Sequence, residues 1–461
     1  MTQRDRLIVD KETEVVCRGN PRRWRLAAAV LVFAIVVRAA VLIIGVAGFE
    51  RDVDGYRRLA ENLRATGVFG WVDSEETGQV NPTRFRPPLY PLLLAALIRQ
   101  GTLAPVAVGL LHLALGIATV GSVLLLSSRS NMGRWSALAA LLVACDPILL
   151  FQSTQIMTET LAAALATFGL VCLAGSRRPM AAGMAGAVMA LAILCRSTFL
   201  PWFGLCFLTV LIHPAYRPHR WAHGLAMLVC ASIVLAPWMV RNYRQTGTPR
   251  VTTSHGGYTL LLGNNPSFYD FLEEGGPRAT WDSGEWVRAW KRRDFFRDPN
   301  DVQWADLKLA HNEDVSPATG RSPFSEEEDD RFAYALARRY LRERPVSFAY
   351  SCLVRVGRLW QLTPNPLSDA ESVSRRAVRY LVGGWYGVLS LLAFAGALSL
   401  GKDLVRPPWI GGLLLCVTFT AVHCLYWSNM RMRAPLMPFV CLVAAAGANQ
   451  IVTLVRRRKS R

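Results

Sequence analysis

The sequence predicts an all-α polytopic membrane protein of about ten transmembrane helices with two long extracytoplasmic segments. Three observations carry that expectation. Hydrophobic residues make up 52% of the 461 residues, with 14 Trp and a positive mean hydropathy, which is too apolar for a soluble globule. Apolar runs near bilayer-crossing length recur along the chain. Arg and Lys stand in short clusters between those runs, so much of the net charge of +19 reads as membrane topology and not as nucleic-acid binding.

The runs fall at roughly 26 to 48, 103 to 127, 134 to 151, 156 to 175, 179 to 196, 198 to 213, 221 to 240, 377 to 400, 407 to 427 and 434 to 455. Residues 1 to 25 form a cytoplasmic tail, and 26 to 240 an N-terminal membrane bundle that carries a first outer loop at 49 to 102. Residues 241 to 376 form an extracytoplasmic cap, 377 to 455 the C-terminal membrane helices, and 456 to 461 a basic tail. Arg18, Arg22, Arg23 and Arg25 precede the first run, and Arg456, Arg457, Arg458, Lys459 and Arg461 end the chain, which puts both termini in the cytoplasm. Alternation from there makes every inside loop basic: Arg129 with Arg134, Arg177 with Arg178, Arg217 with Arg220, Lys402 with Arg406. The first run is too long for a signal h-region and lacks a cleavage motif, so it reads as an uncleaved anchor. The narrowest division lies at Arg196 to Pro201, where almost no loop separates two runs. Most of the ten Cys lie inside apolar runs and no C-x-x-C occurs, so they read as small packing residues.

In the first outer loop, Asp52 and Asp54 follow the first apolar run and would emerge at the membrane surface. Tyr56, Leu59, Ala60 and Leu63 then recur at helical spacing with Arg57, Arg58 and Arg64 on other faces, an amphipathic helix for the interface. Arg84 and Arg86 precede Pro87 and Pro88, which stiffen the chain ahead of a further apolar stretch. The second outer segment is turn-rich at Gly256 to Pro266, where Gly and Asn suit a loop that approaches a sugar closely. Ser325 and Glu328 spell a capping box, and the helix it opens carries Phe332, Leu336 and Tyr340 and stops before Pro345. The acidic run Glu326 to Asp330 therefore reads as helix N-terminal charge and not as a metal site.

Ionisable groups within or beside spanning helices are costly and mark function or an internal pair. Glu159, Arg196, Arg241, Asn242, Arg431 and Arg433 fall at the outer rim in this topology, together with Asp52, Asp54, Arg84 and Arg86. A lone rim Arg reads equally as a snorkelling anchor, but convergence of both signs on one rim argues for chemistry. Arg38 sits in mid-run, and the plain reading is a structural pair with Asp146 at similar depth. Guanidinium forks match the oxygens of a phosphate or pyrophosphate on a lipid, and a nearby carboxylate can act as general base on an acceptor hydroxyl. Phosphate held by cations is a good leaving group, so one base suffices for displacement with inversion, whereas water-driven glycoside cleavage favours an acid and a base across the bond. No H-E-x-x-H, G-x-x-x-x-G-K-[ST], G-x-G-x-x-G or G-x-S-x-G occurs.

In order along the chain stand Asp52-x-x-x-Tyr56-x-x-Leu-Ala-Glu-Asn-Leu, Arg86-Pro-Pro-Leu-Tyr90-Pro, Asp146-Pro with Glu159 on the next helix, and Arg196-Ser-Thr. Pro237-Trp-Met-Val-Arg-Asn242, Gly256-Gly leading to Gly263-Asn264-Asn265-Pro266, and Arg431-Met-Arg433-x-Pro435 follow. Spread over about 26 to 445, these stretches resemble the GT-C superfamily of membrane glycosyltransferases, specifically relatives of protein O-mannosyltransferases and of the transferase that adds aminoarabinose to lipid A. The resemblance implies a GT-C-like fold and a polyprenyl-phosphate sugar donor, with a hexosyl or pentosyl group transferred at the extracytoplasmic or periplasmic face of the cell membrane. It implies a lipid, glycan or protein acceptor and an acid of the first outer loop as catalytic base, here Asp52 with Asp54 as a second candidate. Arg84, Arg86, Tyr90, Glu159, Arg196, Arg241, Asn242, Asn264, Asn265, Arg431 and Arg433 are the candidate substrate-binding residues. No cofactor is implied firmly, and a divalent cation stays open. Val53 stands where an adjacent Glu is usual in the protein mannosyltransferases, and no β-trefoil repeats occur in the outer segment, which speaks against protein mannosylation. The alternative class is a transporter or flippase for a lipid-linked or anionic substrate, which would favour midplane sites and internal repeats; a non-catalytic scaffold would not need acids and Arg gathered on one rim.

Overall fold

The computed structural model describes residues 21–72, 78–175, 178–276, 281–292, 325–366 and 371–460. The chain enters as α1 (Pro21–Ile44), followed by a 3₁₀ turn at Val46–Glu50. The first outer loop then folds as α2 (Tyr56–Thr66), an antiparallel hairpin of β1 (Gly70–Val72) and β2 (Val80–Pro82), and α3 (Leu89–Leu97). The amphipathic pattern of α2 is realised: Tyr56, Leu59 and Ala60 are buried and Arg58 and Arg64 are exposed. Gly67, in the left-handed region at φ 74°, ends it.

The bundle continues through α4 (Pro105–Arg129), α5 (Trp135–Ala144), α6 (Pro147–Ser153), α7 (Glu159–Ala174), α8 (Pro179–Cys195), α9 (Phe199–Ile212) and α10 (Arg220–Thr246). Proline stands at the first helical position of α4, α6 and α8, where its fixed φ favours the helix and its missing N–H costs nothing. The cap consists of α11 (Gly256–Leu262), α12 (Pro266–Gly275), α13 (Gly284–Arg292), α14 (Glu326–Glu343) and α15 (Pro345–Trp360). Three long helices close the chain: α16 (Val373–Leu400), α17 (Ile410–Leu425) and α18 (Met437–Lys459).

Among the described residues, five helical stretches are long and apolar enough to cross a membrane, six if α5 and α6, bent by 46° at Cys145 and Asp146, form one span. The remaining apolar segments become α7, α8, α9 and α17, of 16, 17, 14 and 16 residues. At 1.5 Å per residue such helices rise about 21–26 Å, short of a hydrocarbon core of about 30 Å. The ten expected crossings are thus not supported by length and apolarity alone. The boundary at Arg196 is real, separating α8 from α9. Of these, α7 is buried along almost its whole length and contacts α4, α8 and the 3₁₀ stretch Met430–Leu436, so its neighbours are protein. Close approach of α16 to α18 relies on Gly396 and Gly447, where each Cβ would strike the other helix's backbone.

Arg38 and Asp146 form no direct ion pair, although each lies within electrostatic reach of the other. Arg38 is buried at 2% exposure and donates to the carbonyl of Val143 at 3.1 Å, at the open C-terminal end of α5. Terminal helix carbonyls lack intrahelical partners and carry negative partial charge, so they satisfy a guanidinium without an acid. Gly116 leaves room for it, since a Cβ there would collide with the guanidinium. Asp146 instead caps α6, accepting from Leu149 N at 3.0 Å, and takes the Tyr386 hydroxyl at 3.1 Å.

In the cap, the predicted capping box is present, with Ser325 accepting from Glu328 N and Glu328 returning to Ser325 N at 2.7 Å. Phe332 and Leu336 are buried against Leu261, Trp286 and Trp290. The face of α14 is seated on α11 through Gly257, whose N–H donates to Asp330 Oδ1 at 2.7 Å and whose missing Cβ leaves space for the Asp330 carbonyl. Gly257→Ala should therefore force two backbones apart and cost about 1–3 kcal/mol, read as a lower unfolding midpoint of the purified protein; an unchanged midpoint would show that α11 and α14 shift freely.

Candidate active site

Asp52 and Asp54 differ by two positions and by everything around them. Asp52 turns back onto the first turn of α2: one carboxylate oxygen accepts from Arg57 N at 3.1 Å and the other from Arg58 N at 3.0 Å. It is a helix cap of the kind that carboxylates make well. Gly55, left-handed at φ 76°, reverses the chain so that Asp54 points elsewhere. Asp54 Oδ1 pairs with Arg86 Nη2 at 3.0 Å and Oδ2 lies 3.6 Å from Arg431 Nη2.

From Asp54 a run of alternating charges continues. Arg431 Nε lies 3.6 Å from Glu159 Oε1, and Arg196 Nη1 lies 3.1 Å from the same oxygen. Arg86, Asp54, Arg431, Glu159 and Arg196 thus form one chain of ion pairs, drawn from five segments that meet at one end of the bundle. Glu159 opens α7, Arg196 closes α8, and Arg431 sits in the Met430–Leu436 stretch, whose start is capped by the Asn429 side chain accepting from Arg431 N at 3.1 Å. Exposure is graded, from 2% at Glu159 through 13% at Arg196 to 29% at Arg431. The open side is therefore at Arg431, with three guanidiniums against two carboxylates.

Arg86 is held on all sides. It stacks over Tyr56 and Phe85 at 5.6 and 5.3 Å, and its Nη1 lies 3.5 Å from His255 Nε2. Because Arg can only donate, Nε2 is the acceptor, and the proton of a neutral His255 resides on Nδ1. Two residues earlier, Thr83 and Arg84 are gripped by the first turn of α14. Glu326 accepts from Thr83 Oγ1, from Arg84 N at 2.9 Å and from Ser254 Oγ at 3.1 Å. Glu327 pairs with Arg84 Nη2 at 3.0 Å and Arg250 Nη2 at 2.8 Å. The acidic run read as helix N-terminal charge thus also anchors the loop that delivers Arg86.

Several candidate binding residues are committed elsewhere. Arg84 is buried in the grip just described. Arg241 donates to the carbonyls of Thr83 at 2.8 Å and Phe69 at 2.7 Å and stacks on Trp238, fastening the β1–β2 hairpin to α10. Asn242 accepts from Arg241 and donates to the Arg250 carbonyl at 2.8 Å. Arg433 is buried, donates to the carbonyls of Leu359 and Gln361, and lies over the Tyr386 ring. Asn264 and Asn265 are fully buried: the first takes Tyr269 and Arg355 and donates to the Leu260 and Leu425 carbonyls, and the second caps α12 through Phe268 N. Tyr90 is buried with its hydroxyl 2.9 Å from His112 Nε2. Each of these side chains thus already has a partner inside the protein. Arg86, Glu159, Arg196 and Arg431 remain as the ionic centre. Residues that sequence reasoning did not single out are His255 and the two methionines Met157 and Met432; Met432 lies inside the quoted Arg431-Met-Arg433 stretch, but a thioether carries no signal of its own. Among the described residues, no three His, Cys, Asp or Glu side chains group to hold a metal ion.

Neither a family model nor a curated protein matches the sequence. Among solved structures, the chain is similar to the Archaeoglobus fulgidus oligosaccharyltransferase tethered with an acceptor peptide, at TM-score 0.50 and 14% identity, covering 92% of this chain and 49% of that one. It is also similar to ArnT from Cupriavidus metallidurans bound to undecaprenyl phosphate, at TM-score 0.41 and 15% identity, covering 91% of this chain and 77% of that one. Both are GT-C enzymes, and the likeness to the oligosaccharyltransferase is one of fold. The chain spans about half the length of that enzyme.

The surroundings of His255 set a pH dependence. Burial, and then the Arg86 charge, lower its pKa to about 3, whereas an imidazole in the unfolded chain titrates near ~6.5. Its contribution to stability is therefore whole above about pH 6.5 and is lost as pH falls toward 3, because only the unfolded chain gains the proton. Unfolding midpoints measured between about pH 7 and 4 should fall less steeply in His255→Gln than in the unaltered protein; parallel curves would mean that the imidazole titrates normally.

Proposed function

We propose that this protein is an integral-membrane glycosyltransferase that moves a sugar from a polyprenyl-phosphate donor to an extracytoplasmic lipid, glycan or protein acceptor. It works in the cell membrane with both termini in the cytoplasm and the ionic centre on the outer side. The observation that carries the reading is the chain Arg86–Asp54–Arg431–Glu159–Arg196, an excess of guanidinium over carboxylate at the rim of an apolar bundle of GT-C type. An anionic headgroup carried on a lipid fits such a rim, because its tail stays in the bilayer while its oxygens meet the guanidinium forks.

The reaction is a single displacement. The acceptor oxygen attacks the anomeric carbon on the face opposite the phosphate, the carbon–oxygen bond to phosphate breaks, and the configuration inverts. The acceptor's proton passes to a carboxylate, and the lipid phosphate departs held by Arg431 with Arg86 and Arg196. Of the two acids of the first outer loop, Asp54 is the better supported base, since Asp52 spends both oxygens on the α2 backbone. Both Asp54 oxygens face guanidiniums. Phosphate oxygens compete for those same donors, so donor binding frees a carboxylate oxygen when a proton acceptor is needed. Glu159, buried between two Arg, orients them without reaching the substrate.

Asp54→Asn should lower transfer about 10²- to 10⁴-fold while leaving undecaprenyl-phosphate binding within a few-fold. Asp52→Asn keeps one cap oxygen and should cost about 0.5–1 kcal/mol of stability with little change in turnover. Transfer assays on both variants with a panel of polyprenyl-phosphate sugars test this, and full activity in Asp54→Asn ends the assignment.

A further inference from the structure

Two donors in the ionic centre face sulfur. Arg431 Nη1 donates to Met157 Sδ at 2.9 Å, and Arg196 Nη2 donates to Met432 Sδ at 2.8 Å. The arrangement is crossed: the segment that carries Glu159 supplies the thioether for Arg431, and the segment that carries Arg431 supplies the thioether for Arg196. Along this chain, other guanidinium N–H groups meet carboxylates or His255, and Arg86 also stacks on Tyr56 and Phe85. A thioether is a weak, uncharged acceptor, so these two N–H groups hold partners that a charged oxygen outcompetes. The chain as a whole carries three positive and two negative groups, which leaves room for one more anion.

We propose that Met157 and Met432 hold the places of two anionic oxygens: a phosphate group entering the rim displaces both sulfurs and takes Arg431 Nη1 and Arg196 Nη2. The methionines thereby set the affinity of the site. They occupy Arg431 Nη1 and Arg196 Nη2 when the site is empty, yet yield to a charged oxygen, whose hydrogen bond is about twice as strong as a neutral one. The flexible, unbranched side chain can swing aside without a backbone change. Met432 is half-buried and Met157 buried at 7%, so Met432 is the first to move. This inference rests on the reading of the rim as a phosphate-binding site and adds the residues that tune it.

Replacement of the sulfur separates this role from simple packing. Met432→Leu conserves volume but removes the acceptor, leaving Arg196 Nη2 unpaired until phosphate arrives, and should tighten binding of undecaprenyl phosphate to the purified full-length protein by about three- to tenfold. Met432→Gln offers a stronger competing oxygen and should weaken it by about tenfold. Met157→Leu should act in the same direction as Met432→Leu. Titration calorimetry in detergent, with inorganic phosphate as competitor and undecaprenol as the phosphate-free control, reads these shifts. Opposite shifts for Leu and Gln, reproduced in competition by inorganic phosphate and absent with undecaprenol, support the proposal. Weakening by both substitutions, or equal shifts with undecaprenol, overturns it while leaving the donor assignment intact. Failure of the unaltered protein to bind undecaprenyl phosphate overturns the donor assignment and this inference together.

Discussion

A charge that water reaches poorly must lie against its opposite or against oriented backbone carbonyls, because desolvation costs more than a distant partner returns. That constraint orders the rim. Glu159 is nearly sealed from solvent, so it requires a guanidinium at close range, and it obtains two, from the end of α8 and from the stretch before α18. Arg431 in turn bridges to Asp54, and Asp54 to Arg86. Each link fixes the next, so a cluster assembled from five separate segments behaves as one object. Its excess of one positive charge is the feature on which the proposed anion site rests.

Around this chain the protein spends most of its other polar groups on holding backbone. Arg241 ties the β1–β2 hairpin to α10, Arg433 holds the carbonyls after α15, and Arg355 donates to the Cys424 and Gly263 carbonyls. Glu326 and Glu327 fasten the cap to the loop ahead of Arg86. The cap is thereby linked directly to the ionic centre: α14 anchors Thr83 and Arg84, and Arg86 follows within the same short loop.

Much of this was legible in the sequence where cost alone dictates placement. Acids and Arg beside apolar runs are expensive, so Glu159, Arg196 and Arg431 stood out, and the structure brings them together. Amphipathic spacing and the Ser325 to Glu328 signature gave α2 and α14 their positions for equally local reasons. Less legible was anything decided by a distant partner. Nothing near Arg241 in the sequence indicates that its donors meet the carbonyls of Phe69 and Thr83. Asp52 and Asp54 are alike as sequence; the left-handed Gly55 decides which one faces backbone and which one faces guanidinium. Apolar content could not foresee where each helix begins and ends: among the described residues, five or six of the ten expected runs are helices long and apolar enough to cross a membrane, and four are shorter.

The distance in sequence between the members of the ionic chain has a consequence for synthesis. Asp54 and Arg86 leave the ribosome early, Glu159 and Arg196 later, and Arg431 only near the end of the chain. At about 5–20 residues per second, Asp54 and Glu159 wait roughly tens of seconds for the guanidinium that joins them. Until then the unfinished chain presents two partly neutralised carboxylates at the rim of an incomplete bundle. Insertion and closure of the C-terminal helices is therefore the step that adds the third guanidinium to a half-built pocket in which Arg86 and Arg196 already balance the two carboxylates. Any factor that holds the nascent chain in the membrane must tolerate that late gain of positive charge.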